Sequence, residues 1–380
     1  MSDNWSISGP LSKLDKFLSK IRIPIGGQLG RLQHSTNINF HSGNWLPSNW
    51  AKKINSSDID IVNLHWVAGE TMSIEDIGRL KKPIVWSLHD MWPFCGTEHI
   101  TDYGDNARWK LGYSSKNRNN LDQGLDLDLI AWKRKFKSWK NLSMHIIAPS
   151  EWMAECAKNS TLFRNYPVSV IPNTLDINIF KPLDKKYCRN ILNLPENKKI
   201  ILFGAMSGGK DPNKGYDLLL EALNNLSSRV NREDILCVIF GQTEPEHTSN
   251  IPFETKWLGH IHDNETLTLI YNSASVMVVP SKQEAFGQTA SESLSCGTPV
   301  VAFETTGIKD VVEHLKTGYL AKKFNTLDLA DGILEILTNK VDNKRLSFNA
   351  RKVAINNWSG SIVTSKYHTI YDSIISNRNH

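Results

Sequence analysis

The sequence predicts an α/β chain folded as two parallel-sheet domains, on three observations. Short runs rich in Val and Ile alternate with stretches of helical spacing, as in units that build parallel sheets. The runs are apolar almost throughout, as strands covered on both faces are. And 380 residues, 40% of them apolar, exceed what one ordinary core holds.

The first convincing strand is IDIVNLHW (59–66), followed by PIVWSL (83–88), MHIIAP (144–149) and VSVIPN (168–173). A second set runs KIILFGA (199–205), ILCVIFG (235–241), VMVVPS (276–281) and PVVAF (299–303). Between them YDLLLEALNNL (216–226) and NETLTLIYNSA (264–274) carry helical spacing, and the chain after 326 reads as helical. Two prolines and polar turn residues in IPNTLDINIFKPLDKK, with LNLPENKK after it, mark a break. The expected domains are therefore 1–172, a connector 173–198, a second domain 199–355, and a terminal helix 356–380 crossing back to the first domain. Residues 1–57 show no strand followed by a glycine-rich loop. IGGQLGR (25–31) has three glycines without the preceding strand a phosphate loop needs.

Composition removes several classes. A net charge of +5 is mildly basic and lacks the concentration nucleic-acid binding needs. It suits an anionic small substrate or an anionic membrane surface. The five cysteines (Cys95, Cys156, Cys188, Cys237, Cys296) form no CxxC pair, so neither a disulfide framework nor a zinc site is expected. The opening MSDNWSISGPLSKLDKF lacks an apolar signal core, and no run approaches the roughly 18 apolar residues of a membrane span. The expected location is the cytoplasm, with peripheral contact at the inner face of the plasma membrane as a variant. LSKLDKFLSKIR (11–22) and WKRKFKSWK (132–140) are basic and amphipathic, the latter with Trp132, Phe136 and Trp139 on one face. Such helices lie on anionic membranes or pack on their own domain; the sequence leaves both open.

The most informative stretch is EAFGQTASE (284–292). Gly287 and the strand before it argue for a helix starting near Gln288. Glu284 then lies on the loop at the C-terminal end of a parallel strand, where open α/β sheets bind ligands. Glu292 lies one turn inside the helix. Between them the N–H groups of Phe286, Gly287 and Gln288 sit at a helix N-terminus, an anion site by dipole and by unsatisfied donors. This suits a molecule with hydroxyls at each end and phosphate in the middle: Glu292 for a ribose, Glu284 for a hexose. Two carboxylates beside a diphosphate require cations. KDPNKGYDLLLEAL, after the strand ending at Gly204, offers Lys210 and Lys214, the latter followed by Gly215. His89 ends the strand 83–88, also where site residues gather.

These residues resemble the GT-B retaining glycosyltransferases of family 4 (group 1). Glu284-AFGQTAS-Glu292 is similar to that family's E-x7-E motif, and SLSCGTPVVAFETTGIKDVVEHLKTGYL continues its pattern. Lys214-Gly215 resembles its pyrophosphate-binding Lys-Gly. NLHW and WSLHDMWPF look like a bacterial subgroup that assembles polysaccharide and lipopolysaccharide. The resemblance implies two Rossmann-like domains facing a cleft, with the first domain lacking its usual opening β-α unit. It implies a nucleotide-diphosphate sugar on the second domain, and a glycan or lipid-linked acceptor on the first. The roles it implies are Glu292 to the ribose, Glu284 to the donor sugar, and Phe286 and Gly287 as backbone donors. Lys214 would stabilise the leaving diphosphate, and His89 would lie near the donor sugar. Gly204, Lys210 and Gln288 complete the expected donor set. Ala205 stands where the family carries an arginine, which makes Lys210 the candidate substitute. No cofactor or metal is expected: DID (58–60) opens a strand and DLD (126–128) sits in a helical stretch. Trp66, Trp86 and Trp92 either stack on sugar or pack in the core. Three functions remain: a retaining glycosyltransferase of surface polysaccharide synthesis, a non-catalytic nucleotide-sugar-binding relative, or another GT-B enzyme such as an epimerase or phosphorylase.

Overall fold

The computed structural model describes residues 13–204, 211–244, 250–338 and 342–377. Its contacts divide into two compact units. The first comprises Met1–Ala148, Met153–Val170 and Tyr371 onward; the second comprises Pro149–Trp152 and Ile171–Ile370.

The first unit holds four parallel strands in chain order: β1 (Val62–Leu64), β2 (Ile84–Ser87), β3 (Met144–Ala148) and β4 (Val168–Val170). Among the described residues no strand of this sheet precedes β1. The two-residue strand Gln33–His34 pairs instead with Gln123–Gly124, antiparallel. IGGQLGR lies within helix α1 (Lys13–Gly30), apart from its last residue, so it is no strand–loop–helix phosphate site. The core is aromatic. Trp86 and Trp92 are 1% exposed, and Trp139 packs on both at centroid distances of 5.1 and 6.2 Å.

Helix α2 (Leu127–Trp139) corrects the amphipathic expectation. Lys135 is fully buried, whereas Phe136 is 49% exposed. The cause is three converging carbonyls. Lys135 Nζ donates to Cys95 O (3.1 Å), Gly96 O (2.8 Å) and Trp92 O, with the Trp92 ring centroid 3.8 Å away. Buried acceptors need a donor more than a surface needs one more lysine. Burial pulls the Lys135 ammonium down to about 7. The DLD aspartates are structural. Asp126 binds Arg108 (2.6 Å) and caps α2 through Leu129 N (3.0 Å), while Asp128 accepts from Thr97 N and Gln33 Nε2.

The second unit begins with β5 (Lys199–Gly204), β6 (Ile235–Phe240) and β7 (Glu254–Trp257). Then follow β8 (Val276–Val279), β9 (Val300–Phe303) and β10 (Gly318–Ala321). All pairs are parallel, in the order β10-β9-β8-β5-β6-β7. Chain order therefore reverses between β5 and β8, the doubly wound pattern whose switch point binds ligands. Along β5, Ile200 and Leu202 enter one apolar cluster and Ile201 and Phe203 the other, so both faces are covered. Helix α3 (Tyr216–Ser227) buries Leu219, Leu223 and Leu226, one stripe of an amphipathic helix. Helix α4 (Asn264–Ser273) follows, then α5 (Gln288–Ser295), α6 (Thr326–Leu337) and α7 (Asn343–Trp358).

Candidate functional site

A cavity of about 380 Å3 opens at the C-terminal ends of β5, β6 and β8 in the second unit. Gly204, Lys214, Glu284, Gln288 and Glu292 all line it, with Tyr271 and His260. Lys210 lies outside the described residues. His89 belongs to the first unit, just past β2, with its Nε2 2.9 Å from His65 Nδ1.

Local structure explains how the cations and carboxylates meet. Asp211 accepts from Asn213 N (2.9 Å), turning the chain through Pro212–Lys214. Gly215 follows at φ +63°, and a Cβ there would stand 2.0 Å from Pro280 O. Only glycine allows this approach. It brings Lys214 onto the loop after β8, where Lys214 Nζ meets Glu284 Oε1 at 2.7 Å. Burial opposes charge on the lysine, but Glu284, with Asp211 behind it, raises the ammonium's pKa above its ordinary value.

The Glu284 loop is held from behind. Thr306 Oγ1 accepts from Glu284 N (3.0 Å), and Gly307 N donates to Glu284 O (2.9 Å). Gly287 then caps α5 at φ +106°, where a Cβ would lie 2.5 Å from Ile308 Cδ1. No side chain caps this helix and no acidic residue occupies its first turn. Its first two residues, Gln288 and Thr289, line the cavity, so a helix N-terminus forms part of its wall, as an anion site requires. Phe286 contributes differently from its neighbours. Its side chain is 3% exposed and packs edge-on to Trp358 at 6.0 Å, so it anchors the loop in the core.

Glu292 is half-buried. Tyr271 Oη donates to its Oε2 (2.8 Å) and Gln288 Nε2 to its Oε1 (3.2 Å). Burial raises the Glu292 carboxyl, and the two hydrogen bonds work against that rise. Tyr271, buried and pushed up by burial and by Glu292, was missed from the sequence. It lies in a helix whose spacing reads as core. Thr306 was missed too, since TTG reads only as a turn.

The doubly wound parallel sheet, with a glycine-capped helix N-terminus, a lysine and two carboxylates at its switch point, defines a Rossmann-like unit. Comparisons extend this to the whole chain. The model for glycosyl transferases group 1 matches residues 184–353, and that for glycosyltransferase family 4 matches 19–179. The chain belongs to the family 4, group 1 glycosyltransferases, with the two-unit GT-B fold. Among curated relatives, it is 29% identical to D-inositol 3-phosphate glycosyltransferase of Mycobacteroides abscessus, over 46% of this chain and 40% of that protein. It is 22% identical to phosphatidyl-myo-inositol mannosyltransferase of Mycobacterium leprae, over 93% and 82%. The matches thus span about two fifths of the first of these relatives. HepE of Anabaena, solved with UDP-glucose, superposes with a TM-score of 0.58 at 16% identity, covering 83% of this chain and 79% of that one.

Proposed function

We propose that the protein is a retaining glycosyltransferase that moves a sugar from a nucleotide diphosphate to a glycan or lipid-linked acceptor in surface polysaccharide synthesis. One observation carries this: Lys214, Glu284, Glu292 and the uncapped start of α5 surround a single cavity at the switch point. In this reading Glu292 accepts from the ribose hydroxyls and Glu284 from those of the donor sugar. The diphosphate lies on the helix N–H groups beside Lys214. The lysine's three N–H donors let it keep Glu284 while also binding a phosphate oxygen.

Breaking the anomeric C–O bond leaves positive charge on carbon and negative charge on the diphosphate. Lysine and helix amides aimed at that diphosphate stabilise the separation electrostatically. The acceptor hydroxyl bonds to the anomeric carbon from the leaving-group side, and its proton passes to the departing phosphate oxygen. Configuration is retained, and the reading includes no metal or other cofactor. His89 has a part in the same proposal through the resemblance of the HDMWP segment.

The names of the relatives support acceptors bearing ring hydroxyls, and UDP-glucose in a neighbour of the same fold supports the donor class. Among the described residues no helix is long and apolar enough to cross a membrane. Peripheral contact belongs to the proposal: exposed Phe136 lies between exposed Lys133 and Lys137 on α2. The test is release of nucleoside diphosphate from a panel of nucleotide sugars, with and without added acceptors. Turnover of one donor is expected, and its strong loss in Lys214→Ala and Glu284→Ala. Wild-type rates in both variants would overturn the assignment, and nucleotide binding without turnover would favour the non-catalytic relative.

A further inference from the structure

We propose that the exposed face of Trp66, with Phe40 beside it, is a stacking platform for a sugar or cyclitol ring of the acceptor; this rests on the transfer reaction proposed above. Trp86 and Trp92 are core residues, each 1% exposed, whereas Trp66 is 50% exposed. It stands where the sheet favours ligands. His65 and Trp66 directly follow β1, and His89 and Asp90 follow β2. The parallel register, Leu64 opposite Trp86, sets the two strand ends side by side.

The indole is held rather than merely exposed. Trp66 Nε1 donates to Asp90 Oδ2 at 3.0 Å. Asp90 is itself fixed: Oδ2 meets His99 Nδ1 at 2.6 Å, and Oδ1 accepts from Trp92 N at 2.9 Å. His99 Nε2 reaches Ser42 Oγ at 2.9 Å. Phe40, 58% exposed, stacks against Trp66 with centroids 6.4 Å apart and planes 23° from parallel. The His99 ring packs on both, at 4.8 Å from Phe40 and 5.8 Å from Trp66. Two large aromatic faces are thus kept in water by a network that fixes their planes. A fixed ring loses little freedom on binding.

The rim identifies the ligand class. His65 and His89 are exposed beside the indole and bonded to each other, and Asp90 sits at its edge. A partner must offer a flat apolar face together with a polar edge. The C–H face and hydroxyl rim of a pyranose or cyclitol do so, whereas an acyl chain has no use for the histidines. Phe40 and Ser42 also line a cavity of about 440 Å3, a volume in the range of small-molecule sites.

The test uses the full chain labelled with 5-fluorotryptophan and observed by 19F NMR, with the Trp66 line assigned from Trp66→Phe. The probes are the methyl α-glycosides of glucose, galactose, mannose and N-acetylglucosamine, and myo-inositol, each to about 50 mM. At least one is expected to shift the Trp66 line saturably. Its affinity, read on other lines or by calorimetry, should fall about tenfold in Trp66→Ala and by a similar factor in Phe40→Ala, but less than about threefold in Trp66→Phe. No shift with any probe overturns the platform. So does unchanged affinity in Trp66→Ala, or equal loss in Trp66→Phe, which would make the Asp90 bond rather than the ring face decisive. Titration with UDP, GDP and ADP reports separately on the second unit. Failure there with a sugar response intact would sink the donor assignment and leave the platform standing.

Discussion

The two parallel sheets have the same chemistry and different topology, and the difference decides how openly each displays its site. In the second unit chain order reverses between β5 and β8, so one crevice gathers Gly204, the Lys214 turn and the EAFGQTASE loop. In the first unit β1 to β4 run in simple chain order, with no reversal among the described strands. Its strand ends instead carry a surface cluster of His65, Trp66, His89 and Asp90, tied sideways by hydrogen bonds. A switch point sends neighbouring connections to opposite faces and so opens a crevice between strand ends; without one, these strand ends lie side by side and carry their side chains on the surface.

Five substitutions test this contrast. The largest expected effect falls on the crevice. Lys214→Ala should lower nucleotide-sugar turnover by about 100- to 1,000-fold, the range for losing one fixed electrostatic stabiliser. Glu284→Ala should also lower it strongly. Because the two side chains form one pair, the double variant should cost less than the product of the singles, as steady-state kinetics would reveal. Additive losses would mean that the pair does not act as a unit.

Next is Lys135→Met, which leaves the carbonyls of Trp92, Cys95 and Gly96 buried without their donor. A loss of about 3 kcal/mol in unfolding free energy is expected by denaturant titration, with nucleotide binding by the folded fraction unchanged. Gly215→Ala should cost about 2 kcal/mol, from the left-handed backbone and the closeness of Pro280 O. It should also weaken nucleotide binding, which Lys135→Met should not.

The smallest effect is a pH dependence. Burial lowers the His65 and His89 pKa values from 6.5, with His89 adding to the shift at His65 and Asp90 opposing that at His89. Near pH 6.5 the unfolded chain then binds more protons than the folded one. This contribution is intact above that pH and is lost as pH falls through the lowered values. Both rings are exposed, so solvent screening keeps it below about 0.5 kcal/mol. His65→Gln should flatten the fall in stability between about pH 7.5 and 5.5; an unchanged slope would remove the couple as its source.

The sequence showed most where burial is symmetric. IILF (200–203) and VMVV (276–279) are apolar at every position because both faces of β5 and β8 are covered, so both strands were readable. ETKW and GYLA, the edge strands β7 and β10, were missed. Edge strands are covered on fewer sides and need no apolar run. The gathering of Glu284, Glu292 and Lys214 was legible because each lies at a strand–loop–helix junction. The Lys214–Glu284 bond was not, since 70 residues separate the partners, nor was the grip of Tyr271 on Glu292. Lys135 and Phe136 exchanged their expected environments because helical periodicity cannot register three carbonyls from another segment.

Trp358 gives the last turn of α7 a consequence beyond its own helix. Its ring stands edge-on to Phe286, and its carbonyl accepts from Leu175 N at 2.8 Å. The floor beneath the glutamate loop is therefore supplied from residues far downstream. Shortening the protein to end before Trp358 would delete no residue that lines the cavity of Glu284 and Glu292, yet it would let Phe286 drop from its seat and detune the loop it carries. Any minimal fragment that keeps this cavity intact has to extend through that tryptophan.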